Sequence, residues 1–156
     1  MDKAKSNYIT LRPVGVVRSP VSEVAHVDWA EVVSEIHLDD LLTPGLLGLD
    51  AGGKITVVFY LDRAVFDSAR DMVRHPRDRA DLPLRGVFAT RSQYRPNPIG
   101  VTDVELIGVK GNVLTVRGLD ALDGTPVLDI KASALVEDSP DAKLSQVARD
   151  PRLAET

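Results

Sequence analysis

The densest concentration of reactive side chains lies between Gly86 and Gly100, in the run GVFATRSQYRPNPIG. An apolar stretch leads directly into Thr90, Arg91, Ser92, Gln93, Tyr94, Arg95 and Asn97, and another strand begins around Gly100. Pro96 and Pro98 fix their own φ and push Arg95 and Asn97 toward extended shapes. The loop is therefore stiff as well as rich in donors. Arg91 and Arg95 present planar forks suited to a carboxylate or phosphate. Asn97 carries donor and acceptor together and can read an amide or a purine edge. Tyr94 and Asn97 are candidates for orienting a reacting group, and Arg95 for holding a substrate carboxylate or phosphate. The plainer alternative is a proline-stiffened turn with solvated arginines.

A second segment, Gly118 to Lys131 (GLDALDGTPVLDIK), carries the turn dipeptide Asp123-Gly124 and then Thr125-Pro126 entering a strand. Exposed backbone groups in such a turn could meet an adenine or a ribose. Asp120, Asp123 and Asp129 raise a metal question, but no His or Glu lies close in sequence and Lys131 shares a strand face with Asp129. No metal site is expected. The three histidines, His26, His37 and His75, lack the spacing of a ligand pair such as H-E-x-x-H. The loop from Arg70 to Arg79 holds Arg70, Arg74, Arg77 and Arg79 among Asp71 and Asp78, with Asp81 just beyond. Mixed charge of this kind reads as a solvated loop, with a phosphate-contacting edge as the other reading.

These segments need elements to position them. Short strands are expected at Val14–Arg18, Trp29–Leu38, Lys54–Leu61, Gly86–Thr90, Ile99–Ile107, Val113–Gly118 and Val127–Ile130. Lys110-Gly111-Asn112 is a hairpin signal between two of them. Asp39–Leu47 reads as a short helical turn, and Val65, Ala69, Met72 and Val73 share a face of a possible helix from Arg63 to Arg74. About seven short strands with one or two short helices predict a mainly β fold, a single-domain barrel-like folded sheet over 1–137. A polar tail over 138–156 could hold a helix from Ala142 to Arg149. Neither a Rossmann glycine fingerprint, nor a P-loop, nor a G-x-S-x-G elbow is present. Trp29, the only Trp, is expected to pack in the core or an interface.

Composition narrows the classes further. The 156 residues suffice for one core, and with no Cys there are no disulfides, thiolate metal sites or Cys nucleophile. The formal net charge of −4 argues against an electrostatic DNA coat, and aromatic residues at 4% against a base-stacking platform. The longest apolar runs are too short to span a bilayer, and no apolar segment follows the polar start Met1–Asn7, so a cytoplasmic location is the expectation.

The two long motifs, in this order and spacing, resemble the TsaA-like family, to which TrmO-type tRNA methyltransferases belong. That family's pattern is close to GVFATRSP-x-RPNPIG followed by LDGTPVLDIK. Weaker similarity extends upstream through VGVVRSP (Val14–Pro20), so the resemblance covers most of Val14 to Lys131. It implies a non-Rossmann, β-barrel-like methyltransferase that uses S-adenosylmethionine near the interface of a homodimer. It further implies N6-methylation of threonylcarbamoyl-adenosine beside the anticodon of a tRNA. By motif position, Arg91, Val101, Leu122, Asp123, Gly124 and Thr125 would contact the cofactor, and Leu61 and Asp62 fall near a further contact.

Some positions depart from the pattern. No Pro-Arg-Gln stretch follows the first strand, where Val21–Asp28 reads VSEVAHVD. The usual Ser-His pair is missing from Leu49–Gly53, the next strand ends Leu61-Asp62-Arg63 without a His, and Gln93 stands in place of Pro. A methyltransferase for a small-molecule acceptor, a non-catalytic S-adenosylmethionine-binding module and a purely structural β domain are the alternatives.

Overall fold

In a computed structural model, residues 7–24 and 26–133 are described here. Eight strands form: β1 (Gly15–Arg18), β2 (Val33–Leu38), β3 (Lys54–Tyr60), β4 (Val73–Arg74), β5 (Arg85–Gly86), β6 (Ile99–Lys110), β7 (Val113–Arg117) and β8 (Pro126–Ala132). Six of them close an antiparallel barrel in the order β1-β2-β7-β6-β3-β8, and β4 and β5 pair as a separate ribbon. The mainly β, barrel-like fold expected from the sequence is the one observed.

Period-two patterning builds the barrel. Ile55, Val57 and Phe59 of β3, Val104 and Leu106 of β6, Leu114 and Val116 of β7, and Ile36 of β2 all point inward and are at most 2% exposed. A barrel of this size is filled by such side chains. Leu119, Ala121 and Val127 complete the core beside Val17. The β6–β7 hairpin turns at Gly111-Asn112, and the Asn112 side chain donates to the Leu38 carbonyl at 2.6 Å.

Several expected elements are corrected. Trp29–Glu31 is a 3₁₀ turn capped by Asp28, whose side chain accepts from the Ala30 N–H, so the strand begins only at Val33. The helix expected from Arg63 to Arg74 shrinks to one turn, α1 (Ser68–Asp71), with Asp67 as its N-cap. β-branched Val73 and the His75-Pro76 step favour extended backbone after it, and β4 follows at once. Gly86–Thr90 is not a strand of the barrel. Arg85–Gly86 pairs with β4, and Val87–Ala89 is a 3₁₀ turn that buries Val87 and donates its N–H to the Met72 carbonyl. The helix expected at Ala142–Arg149 lies outside the described residues. No helix among the described residues is long and apolar enough to cross a membrane.

The Arg70–Arg79 loop is also more ordered than its charge pattern suggests. Asp71 is 1% exposed. Its Oδ1 accepts from Arg70 Nε at 3.1 Å and Arg74 Nη1 at 3.0 Å, and its Oδ2 accepts from the Asp67 N–H at 2.9 Å and from Arg70 Nη2 at 3.3 Å. The hydrogen bond from Arg70, then that from the Asp67 backbone, hold the Asp71 carboxyl below the usual carboxylate range. Arg74 also donates to Asp78, and Arg79 pairs with Asp81 at 2.6 Å. A buried, four-times-satisfied carboxylate thus organises this arm.

Candidate functional site

Two clefts flank the Gly86–Gly100 loop. The larger, about 850 Å³, lies between the loop, the ends of β3 and β6, and the turn before β8. The smaller, about 660 Å³, lies between the loop and the β4–β5 arm. Ala89, Thr90, Arg91, Ser92 and Gln93 form a wall common to both.

Local hydrogen bonds shape the loop. Thr90 and Ser92, donors that looked available for chemistry, are turn formers: the Thr90 hydroxyl donates to the Val87 carbonyl at 2.9 Å, and Ser92 Oγ accepts from the Tyr94 N–H at 3.2 Å. Arg95 folds back into its own loop. Its Nη1 donates to the carbonyls of Thr90 at 2.9 Å and of Val87 and Ser92, both at 3.3 Å. Arg91 lies on the surface and donates through Nη2 to the Val101 carbonyl at 2.7 Å, leaving its other N–H groups for a ligand.

The larger cleft gathers most of the residues read as cofactor contacts. Arg91, Val101, Leu61, Asp62, Leu122 and Thr125 all line it. Asp123 and Gly124 stand behind it and hold the turn. Asp123 Oδ1 accepts from the Ser19 N–H at 3.1 Å, and Gly124, at a φ of +85° that favours glycine, donates its N–H to the Val17 carbonyl. Arg63 ties the strand end to both neighbours, donating to the carbonyls of Ser22 at 2.7 Å and Asp123 at 3.1 Å. Tyr94 lines the smaller cleft instead, with Arg74 5.4 Å from its ring centroid. Asn97 lines neither cleft; its carbonyl accepts from the Ile99 N–H. Of the three residues read as orienting or holding the acceptor, only Arg95 reaches the larger cleft.

Trp29, Arg63, Phe88, Thr102 and Asp120 also line the larger cleft and escaped the sequence reading as site residues. Only Asp120, with its aspartate-rich surroundings, gave a signal. It accepts from the Thr102 hydroxyl, while Asp129 pairs with Lys131 at 2.6 Å. The three aspartates therefore have separate partners, and no group of three or more potential metal ligands converges among the described residues.

The walls mix apolar and charged surface in a useful way. Phe59, Leu61, Trp29 and Leu122 offer flat or aliphatic contacts, and Asp62 and Asp120 place carboxylates beside them. All three arginines of the larger cleft, Arg63, Arg91 and Arg95, are anchored to backbone carbonyls. The volume fits the range typical of ligand pockets, and the arrangement suits a ligand with an aromatic end and a cationic or hydroxylated middle.

A closed six-stranded antiparallel barrel with a ligand-sized cleft at its strand ends is one of the ways to build a binding domain without a nucleotide-binding α/β sheet. The chain belongs to the family of the tRNA-methyltransferase O N-terminal domain, whose model matches residues 22–139. It is 43% identical over 135 residues to a probable S-adenosyl-L-methionine-binding protein of Archaeoglobus fulgidus, covering 84% of this chain and 36% of that one. It is 37% identical over 153 residues to the tRNA (adenine(37)-N6)-methyltransferase of Escherichia coli, covering 88% of this chain and 63% of that one. The crystal structure of TrmO from Pseudomonas aeruginosa superposes with a TM-score of 0.66 at 27% identity, covering 92% of this chain and 63% of that chain. The chain thus spans between about a third and two thirds of the length of these three relatives.

Proposed function

We propose that the protein is an S-adenosylmethionine-dependent methyltransferase that methylates N6 of threonylcarbamoyl-adenosine beside the anticodon of tRNA, as a cytoplasmic homodimer. One observation carries the reading: Leu61 and Asp62, Arg91 and Val101, and Leu122 and Thr125, from three separate chain segments, line a single cleft of about 850 Å³. The likeness to an S-adenosyl-L-methionine-binding protein of Archaeoglobus fulgidus supports the donor, and that to the tRNA (adenine(37)-N6)-methyltransferase of Escherichia coli supports a tRNA adenine as acceptor.

When bound, S-adenosylmethionine supplies a sulfonium methyl group, and its in-line transfer to an acceptor nitrogen leaves a neutral thioether. The chain's own contribution is positioning. The apolar wall of Phe59, Trp29 and Leu122 favours loss of charge beside it, and Asp62 and Asp120 meet cationic or hydroxyl groups. The free N–H groups of Arg91 hold a carboxylate. Arg63 and Arg95 fix the surrounding segments through their bonds to backbone carbonyls. In a carbamoyl-adenosine the attacking N–H is acidified by its carbonyl, so a weak base suffices.

The dimer is supported by exposed apolar side chains on the loop and the β4–β5 arm. Phe88, 79% exposed, lines the larger cleft, and Leu84, Met72 and Val73 of the β4–β5 arm and its flanks are exposed too. A second copy packed there would cover them and narrow the cleft.

The test is transfer of labelled methyl to tRNA that carries threonylcarbamoyl-adenosine but lacks its methyl group. Label is expected in that nucleoside after nuclease digestion, and none in tRNA without the threonylcarbamoyl group. Equal labelling of both, or of neither, overturns the acceptor assignment.

A further inference from the structure

We propose that the smaller cleft binds a phosphodiester of the RNA strand that carries the methyl acceptor, between Arg77 and Arg85. The proposal rests on the methyltransferase reading of the larger cleft and deepens it.

Charge is the first ground. The protein carries a formal net charge of −4, yet Arg74, Arg77, Arg85 and Arg91 line this cleft against only Asp71 and Asp78. Both carboxylates are already engaged, Asp71 by Arg70 and Arg74, and Asp78 by Arg74. Arg77 and Arg85 have no carboxylate partner among the described residues. In the larger cleft Arg63, Arg91 and Arg95 each donate to a backbone carbonyl, whereas Arg77 and Arg85 line only the smaller one.

Construction is the second ground. Arg77 and Asp78 adopt successive left-handed conformations, φ +54° and +56°, which non-glycine residues rarely do. The Arg74–Asp78 pair and the bond between His75 Nδ1 and the Leu82 carbonyl, 2.6 Å, hold that loop in shape. Arg77 thus lines the cleft from a braced loop, and Arg85 lines it from β5, where it is the strand partner of Arg74.

Continuity is the third. The Ala89–Gln93 wall is common to both clefts, so a nucleotide whose base enters the larger cleft has its flanking backbone beside the smaller one. A planar guanidinium pair matches the anionic oxygens of a phosphodiester. Free phosphate shares that chemistry, so the experiment separates the two.

The test measures anisotropy of a labelled anticodon stem–loop RNA with the full chain over a range of salt. It compares wild type, Arg77→Gln/Arg85→Gln, and Lys54→Gln/Lys110→Gln, which removes equal charge outside both clefts. The arginine variant is expected to bind at least tenfold more weakly and to lower the salt slope by about 1, while the lysine variant matches wild type. Equal weakening of both variants, an unchanged arginine variant, or no RNA binding by wild type overturns the proposal. So does displacement of the RNA by micromolar inorganic phosphate. Calorimetric titration of S-adenosylmethionine into the same proteins keeps the two readings apart: wild-type affinity in the arginine variant is expected, and absence of binding to wild type indicts the donor site rather than this cleft.

Discussion

The ring of Phe59 lies directly over Gly100, its partner across the β3–β6 ladder: a Cβ at Gly100 would sit 2.4 Å from Phe59 Cε2 and 2.5 Å from Cζ. The last glycine of the loop motif is therefore a packing requirement as much as a turn residue. Gly100→Ala is expected to displace the ring and cost about 1–3 kcal/mol of stability. It should also weaken donor binding, because Phe59 and Gly100 both line the larger cleft. Urea denaturation and calorimetry read the two effects; a wild-type unfolding midpoint contradicts this packing account.

Arg95 separates two roles by its partners. If it braces the loop, Arg95→Met removes the guanidinium donor from the Thr90 and Ser92 carbonyls, and one of several from that of Val87, and costs about 1–3 kcal/mol, with S-adenosylmethionine affinity falling as the loop loosens. If it held a substrate anion, stability would be unchanged and only the KM for RNA would rise. The bracing geometry predicts the first pattern, read by thermal unfolding beside steady-state kinetics.

Asp71 gives a pH dependence with a definite sign. Its carboxyl is held below the usual range chiefly by the hydrogen bond from Arg70, so the stability it contributes is complete above the unfolded value near 3.9. That contribution is lost as pH falls through the lower folded value. Asp71→Asn is expected to lower the thermal midpoint by an amount constant from pH 7 to about 5, and the gap to wild type should close below about pH 4. A gap that widens in acid would show that Arg70 and Arg74 do not depend on this charge.

Much of the barrel was legible because its strands alternate cleanly. Ile55, Val57 and Phe59 announce an inward face, and Gly111-Asn112 announces the hairpin. Elements held by tertiary contacts were not. The apolar run Val87-Phe88-Ala89 looks like a strand, but the Val87 N–H goes to Met72 and its carbonyl receives Thr90 and Arg95, so it turns. The charge alternation around Asp71 gave no sign that this carboxylate is buried. In the site, Arg91, Val101, Leu122 and Thr125 all line the larger cleft, and the two sequence motifs carry or directly adjoin them. Trp29 and Phe88 were missed as cleft residues because only the fold brings them to the same opening.

The central claim is that the larger cleft holds the methyl donor through Arg91 and the turn before β8. Calorimetric titration of S-adenosylmethionine into wild type and Arg91→Ala tests it most directly. The account predicts saturable binding of one ligand per chain, weakened at least tenfold in the variant. Absence of binding to the wild-type protein, or equal affinity for both proteins, would contradict it.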